Sequence, residues 1–193
     1  MAQPAPTTIT FEDPEYQACT HISQQWAISY DTKNWALLST ILLPELHIDY
    51  TSVMGPSDYF PSMSAADYVA MMSNPSTLGH PLVGTQHFLS FPTFTRTSPD
   101  TITGLYQVRA HHVRFSSDAQ GGSDGKGGVK GYAKGWGRKV LAVATGHSVI
   151  QHFYTRTEEG WKLSGLRPEV GFDQGDLKGL FAVREEGEVV KTA

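Results

Sequence analysis

The 193-residue chain has one cysteine, Cys19. No disulfide can form within it, and no multi-cysteine zinc site can be built. Charge is scarce as well: Asp, Glu, Lys and Arg make up 18% of the residues and the net charge is -4. Such a chain lacks the basic face with which a general nucleic-acid binder neutralises phosphates. No apolar run approaches the roughly 20 residues of a membrane-spanning helix. Met1 to Pro6 carries neither the basic patch nor the apolar stretch of a secretory signal. There is also no phosphate loop, no G-x-S-x-G or G-x-G-x-x-G at a strand-helix turn and no H-x-x-x-H or H-E-x-x-H pair. The expectation is an intracellular, cytoplasmic protein with no nucleic-acid or membrane partner and no metal.

What is present is a composition that folds. Hydrophobic residues are 39% and aromatics 11% of the chain, enough for one domain with a sizeable core. Residues 1–10 read as a mobile leader, residues 11–185 as the domain and residues 186–193 as a tail. Tyr16, Cys19, Ile22, Trp26 and Tyr30 recur at helical spacing and predict a helix from Pro14 to Ser29. A second helix is expected over Asn34 to Leu43, ended by Pro44. Leu46 to Tyr50 alternates as a strand with Leu46, Ile48 and Tyr50 on one face, and residues 52–62 read as a loop. Ser64 caps a third helix running to Ser73. Strands follow at Thr85–Phe94, Thr101–Phe115, Lys139–Thr155 and Trp161–Leu166, with a short helix expected after Phe172. Between two of these strands lies a Gly-rich insertion, residues 116–137. Helices followed by a run of strands mean α+β, a mostly antiparallel curved sheet with the helices enclosing a pocket.

Eight histidines are the unusual chemical resource. Imidazole is the side chain most readily poised for proton transfer near neutral pH. On the strand through residues 108–112, only one of His111 and His112 can face inward. His112 shares its face with Val108 and Ala110, and His111 with the polar Gln107 and Arg109, so His112 is placed inside. Asp31 either caps the next helix or orients a histidine. Tyr50 and Ser148 are polar strand residues that are either satisfied structurally or aimed into the pocket.

At these residues the sequence resembles the scytalone dehydratase family. The resemblance rests on Trp26–Trp35 with its Ser29-Tyr30-Asp31 core, on Ile48-Asp49-Tyr50 and on Thr85-Gln86-His87-Phe88. It continues through Gln107–Phe115, His147-Ser148 and Trp161 to Pro168. It implies a cone-shaped α+β fold of the nuclear transport factor type, a homotrimer, and catalysis with no metal and no organic cofactor. Carried onto this chain, it implies that Tyr30 and Tyr50 polarise a substrate ketone, and that His87 and His112 lie beside the departing proton and hydroxyl. Asp31 is implied as the partner of His112, and Ser148 as a polar contact. Val53, Met71, Thr77, Ala110, Leu166, Pro168, Val170, Leu177 and Phe181 take the positions of the apolar lining.

The sequence departs from that family pattern at Ile150, where an Asn that bonds a substrate hydroxyl is expected, and at Val53 and Leu177, where Phe is expected. These changes point to an aromatic polyketide larger than scytalone or differently hydroxylated, such as a reduced anthraquinone. The leading reading is therefore a dehydratase acting on a β-hydroxy ketone. An isomerase or cyclase working by enolisation in the same pocket, and a non-catalytic small-molecule-binding module, remain open at this point.

Overall fold

A computed structural model describes residues 5–119 and 138–181. The elements run β1 (Thr7–Ile9), α1 (Pro14–Thr32), α2 (Trp35–Ile41), β2 (Leu42–Asp49), β3 (Tyr59–Ser64) and α3 (Ala65–Ser73). They continue with β4 (Val83–Leu89), β5 (Thr93–Ser98), β6 (Thr101–Ala119), β7 (Arg138–Thr157), β8 (Gly160–Gly175) and α4 (Leu177–Phe181). The strands form one curved sheet ordered β1-β5-β6-β7-β8-β2-β3, with β4 paired to β6. Every pairing is antiparallel except β2 with β8. The sheet is thus mixed, α+β and mostly antiparallel, as expected.

Local chemistry sets the helices. Pro14 opens α1, where its missing N–H costs nothing. Lys33 ends it in a left-handed conformation, φ 56°, with its N–H turned back to the carbonyls of Ser29 and Tyr30. The Ser64 hydroxyl accepts from Asp67 N at 3.0 Å and caps α3 as expected. α1 and α3 cover the concave face of the sheet, and Trp26, Tyr30, Leu38, Phe94, Tyr154 and Leu163 fill the space between.

Several boundaries differ from the sequence reading. Thr7–Ile9, inside the expected leader, pairs with β5 because Ile9 has a core site to fill. The expected loop over residues 52–62 contains the start of β3, which pairs with β2. The expected strand Thr85–Phe94 is two strands, β4 and β5, both on one edge of the long β6. The second helix stops at Ile41, and Pro44 lies within β2, inside a register shift where it need not donate to the ladder. β8 runs through Pro168 to Gly175. Its pairing to β2 stops at Leu166, so the missing N–H of Pro168 breaks no bond on that side. Residues 116–119 of the expected insertion belong to β6. The rest of that insertion, 120–137, and the tail at 186–193 lie outside the described residues.

Candidate active site

The last turn of α1 aims Tyr30 and Asp31 at the concave face of the sheet, where both are buried. α1 lies against β4, so the partner of Asp31 comes from β4. Asp31 Oδ1 is 2.8 Å from His87 Nδ1, and its carboxylate also accepts from His87 N at 2.9 Å and from Thr85 Oγ1 at 3.2 Å. A carboxylate only accepts, so Nδ1 carries a proton and Nε2 is the ring nitrogen left for other partners. The resemblance implied a bond from Asp31 to His112, and the structure makes it to His87 instead. The reason is the sheet order, since α1 packs against β4, which carries His87, while His112 stands on the neighbouring strand β6.

His112 does face inward, opposite Thr85 and Ala144. His111 points the other way and its Nδ1 lies 2.8 Å from Thr145 Oγ1. The rings of His87 and His112 are perpendicular, with centroids 5.7 Å apart. The Nδ1 of His112 is buried with no hydrogen-bond partner. Burial first, and then the charges of His87 and Lys33, push its pKa down to about 3. His112 is therefore a neutral ring at physiological pH.

Opposite the histidines sit three phenols. Tyr50, at the end of β2, lies 3.1 Å from the hydroxyl of Tyr68 on α3 and 3.4 Å from that of Tyr30. Tyr30 and Tyr68 also share a short hydrogen bond. Burial raises the pKa of Tyr30 and Tyr50 well above the usual phenol value, with the neighbouring tyrosines adding to it. All three stay protonated and can donate. Sequence reasoning missed Tyr68. The available signal was Tyr68 and Met72, four residues apart on the buried face of α3.

A second buried network lies behind Trp26. Ser23 Oγ is 2.6 Å from His152 Nδ1 and 2.5 Å from the Tyr154 hydroxyl, which meets that of Tyr106 at 3.1 Å. Burial pushes His152 down to about 3. Trp26 separates this network from the site, in edge contact with His152 on one side and His87 on the other.

The other expected contacts divide by place. Ile150, Leu166 and Pro168 are buried on the concave face, and Ala110 is half-buried opposite His87. Ser148 lies between Val108 and Val170 in register. Met71 is half-buried while its neighbour Met72 takes the core position. The Thr77 hydroxyl is committed to the end of α3, donating to Met71 O at 3.0 Å. Val53 and Val170 are 45% and 38% exposed and sit on an open rim, and Leu177, at the start of α4, is 42% exposed, so none of the three forms an enclosed wall. Ser52 Oγ ties that rim together by accepting from Val170 N at 2.9 Å. Phe181 and Leu180 of α4 pack on Ala142 and Ala144, next to His112.

A cleft of about 210 Å³ between α1 and β4 reaches His87. A larger groove of about 530 Å³ is lined by Phe88, Arg109, His147 and Phe172 together with two of the expected contacts, Ser148 and Val170, and is not lined by Tyr30, Asp31, Tyr50, His87 or His112. Among the described residues no group of three or more His, Cys, Asp or Glu could hold a metal ion, and no helix is long and apolar enough to cross a membrane.

The family model described as scytalone dehydratase matches residues 8–187. A scytalone dehydratase of Colletotrichum orbiculare is 35% identical over 182 residues, covering 94% of this chain and 85% of that protein. A scytalone dehydratase-like protein of Claviceps purpurea is 34% identical over 175 residues, 91% of this chain and 98% of its own. The dehydratase AgnL8 of Paecilomyces divaricatus is 33% identical over 173 residues, 90% of this chain and 87% of its own. Among solved structures, the Kfla4162 protein of Kribbella flavida superposes with a TM-score of 0.60 at 20% identity, covering 84% of this chain and 95% of that one. At that identity the likeness shows the fold alone.

Proposed function

The chain belongs to the scytalone dehydratase family, and from that membership we propose that it removes water from a β-hydroxy ketone of an aromatic polyketide in fungal secondary metabolism, without a cofactor. The observation that carries the reading is the Asp31–His87 pair facing three buried, protonated tyrosines. Elimination from such a ketone needs a base for the α-proton, donors for the enolate oxygen and a proton for the departing hydroxyl.

Each need has a residue. His87 Nε2 takes the α-proton, and the C–H electron pair moves into the enolate. Tyr50 and Tyr30 donate to the enolate oxygen, with Tyr68 holding both hydroxyls in place. Collapse of the enolate forms the C=C bond and breaks the C–O bond. The hydroxyl leaves as water with the proton that His87 took, so the enzyme ends unchanged. His112, neutral, hydrogen-bonds the leaving oxygen. Ile150 and Leu166 supply an apolar wall that strengthens these polar contacts.

Ile150 offers no hydrogen bond where the family pattern has an Asn, and the exposed Val53 leaves the rim open. Both support a substrate of the reduced naphthol or anthraquinone type other than scytalone. The test is anaerobic incubation with scytalone and a set of reduced hydroxyanthracenones, with product masses read by chromatography. Loss of one water from any member supports the reading. A product of unchanged mass moves it to an isomerase.

We further propose that the enzyme assembles as a homotrimer through the outer face of the sheet, where Phe88 and Phe172 are 68% and 57% exposed beside Val149. Sedimentation equilibrium giving a monomer at micromolar concentration would count against it.

A further inference from the structure

The C-terminal end of α1 carries a positive charge with no ion-pair partner among the described residues. Lys33 stands at the C-terminus of α1, and its Nζ is buried with no hydrogen-bond partner. The carboxylate it feels is that of Asp31, which is already occupied by His87 and Thr85. Burial lowers Lys33 to about 8 and Asp31 partly offsets this, so the ammonium is still charged at neutral pH.

Arg114 lies two residues beyond His112 on the same face of β6, opposite Val83. Among the described residues no ion pair reaches Lys33, His80 or Arg114. His80 precedes β4 and its Nδ1 accepts from Leu82 N at 3.0 Å, which leaves Nε2–H as a donor. Val83, which faces Arg114 in register, donates its N–H to the His80 carbonyl at 3.1 Å, so His80 and Arg114 share one locality, and burial and the charges of Arg114 and Lys33 lower the His80 pKa. His112 feels Lys33 as well.

An ammonium held from water without a counter-ion is costly unless a ligand supplies the charge. We propose that Lys33 and Arg114, with His80 Nε2–H, form an anion subsite beside His112 and that the substrate carries a ring carboxylate that docks there. The inference deepens the dehydratase reading by naming a substrate class: an acidic aromatic polyketide, not a neutral phenol. A carboxylate pairing with Arg114 and Lys33 makes charge-assisted hydrogen bonds, which are the strong ones. It would fix the ring so that the ketone meets the tyrosines and the β-hydroxyl meets the histidines.

The test is direct binding, read by quenching of tryptophan fluorescence, since Trp26 and Trp35 both pack on Tyr30. The probes are 3-hydroxy-2-naphthoate and 2-naphthol, which differ only in the carboxylate. The expected result is a carboxylate preference of about tenfold or more in the wild type. Lys33→Met and Arg114→Gln should each remove most of it while leaving the affinity for 2-naphthol unchanged. Equal affinities in the wild type, no binding of the carboxylate, or a preference kept in both variants would overturn the subsite. Because binding is read without turnover, a preference retained by a protein that dehydrates nothing would support the subsite and count only against the reaction.

Discussion

Asp31 and His87 are 56 residues apart in sequence and 2.8 Å apart in space, carboxylate to Nδ1. The bond is buried, and the same carboxylate accepts the backbone N–H of His87, so both the position and the tautomer of the ring are fixed. Asp31→Asn keeps the shape but removes the charge and one acceptor. We expect it to lower kcat by about 10²-fold or more. Stopped-flow or steady-state rates on a competent substrate check this, with thermal melting as the control for folding. An unchanged kcat would remove Asp31 from the mechanism.

In the proposed mechanism Tyr50→Phe deletes one of the two donors to the enolate oxygen. The expected loss is about 10²–10³ in kcat. Tyr68→Phe acts through Tyr30 and Tyr50, so it should cost less in kcat than Tyr50→Phe does. Rates for both variants beside the wild type decide the order. The reverse order would make Tyr68 the direct donor.

His152 gives a stability prediction with a definite sign. Its pKa is pushed down to about 3 by burial, while an unfolded histidine titrates near ~6.5. The unfolded chain therefore binds the extra proton first. The stability that His152 contributes is present above about pH 6.5 and is lost as the pH falls towards about 3. The slope from this residue alone is about 1.4 kcal/mol per pH unit within that window. Denaturant unfolding between pH 7 and pH 4 should show it, and His152→Gln should flatten the curve. An equal slope in the variant would refute the assignment.

Leu180 is fully buried against Ala142 and Ala144, and Ala144 lies opposite His112 in register. Loss of that seal should loosen the mouth of the site without touching its proton-transfer groups. Leu180→Ala is expected to raise KM more than it lowers kcat. A fall in kcat with KM unchanged would place α4 in the chemistry instead.

Much of this architecture could be read from local pattern. The alternation of Leu46, Ile48 and Tyr50 gave the inward face of β2, all three being buried. The comparison of Val108 and Ala110 with Gln107 and Arg109 turned His112 inward correctly. The Ser64 cap was visible because Ser-x-x-Asp has a local mechanism. What local pattern did not show were long-range partnerships. The choice between His87 and His112 for Asp31 depends on which strand lies under α1, a property of sheet order. Tyr68 looked like one more core residue of α3 until β2 brought Tyr50 to it. Pro44 read as a terminator because its tolerance depends on a register shift, and β8 runs past the expected end at Leu166 through Pro168 because the pairing to β2 stops there. β3 was hidden in a segment that reads as a loop because it carries Gly55, Pro56 and Pro61.

The most direct test of the central claim is His87→Ala in the anaerobic dehydration assay, with the product identified by mass. The account predicts that the wild type releases one water from an aromatic β-hydroxy ketone and that the variant, still folded by circular dichroism, is slower by about 10²–10⁴. A His87→Ala enzyme that dehydrates at the wild-type rate would contradict it.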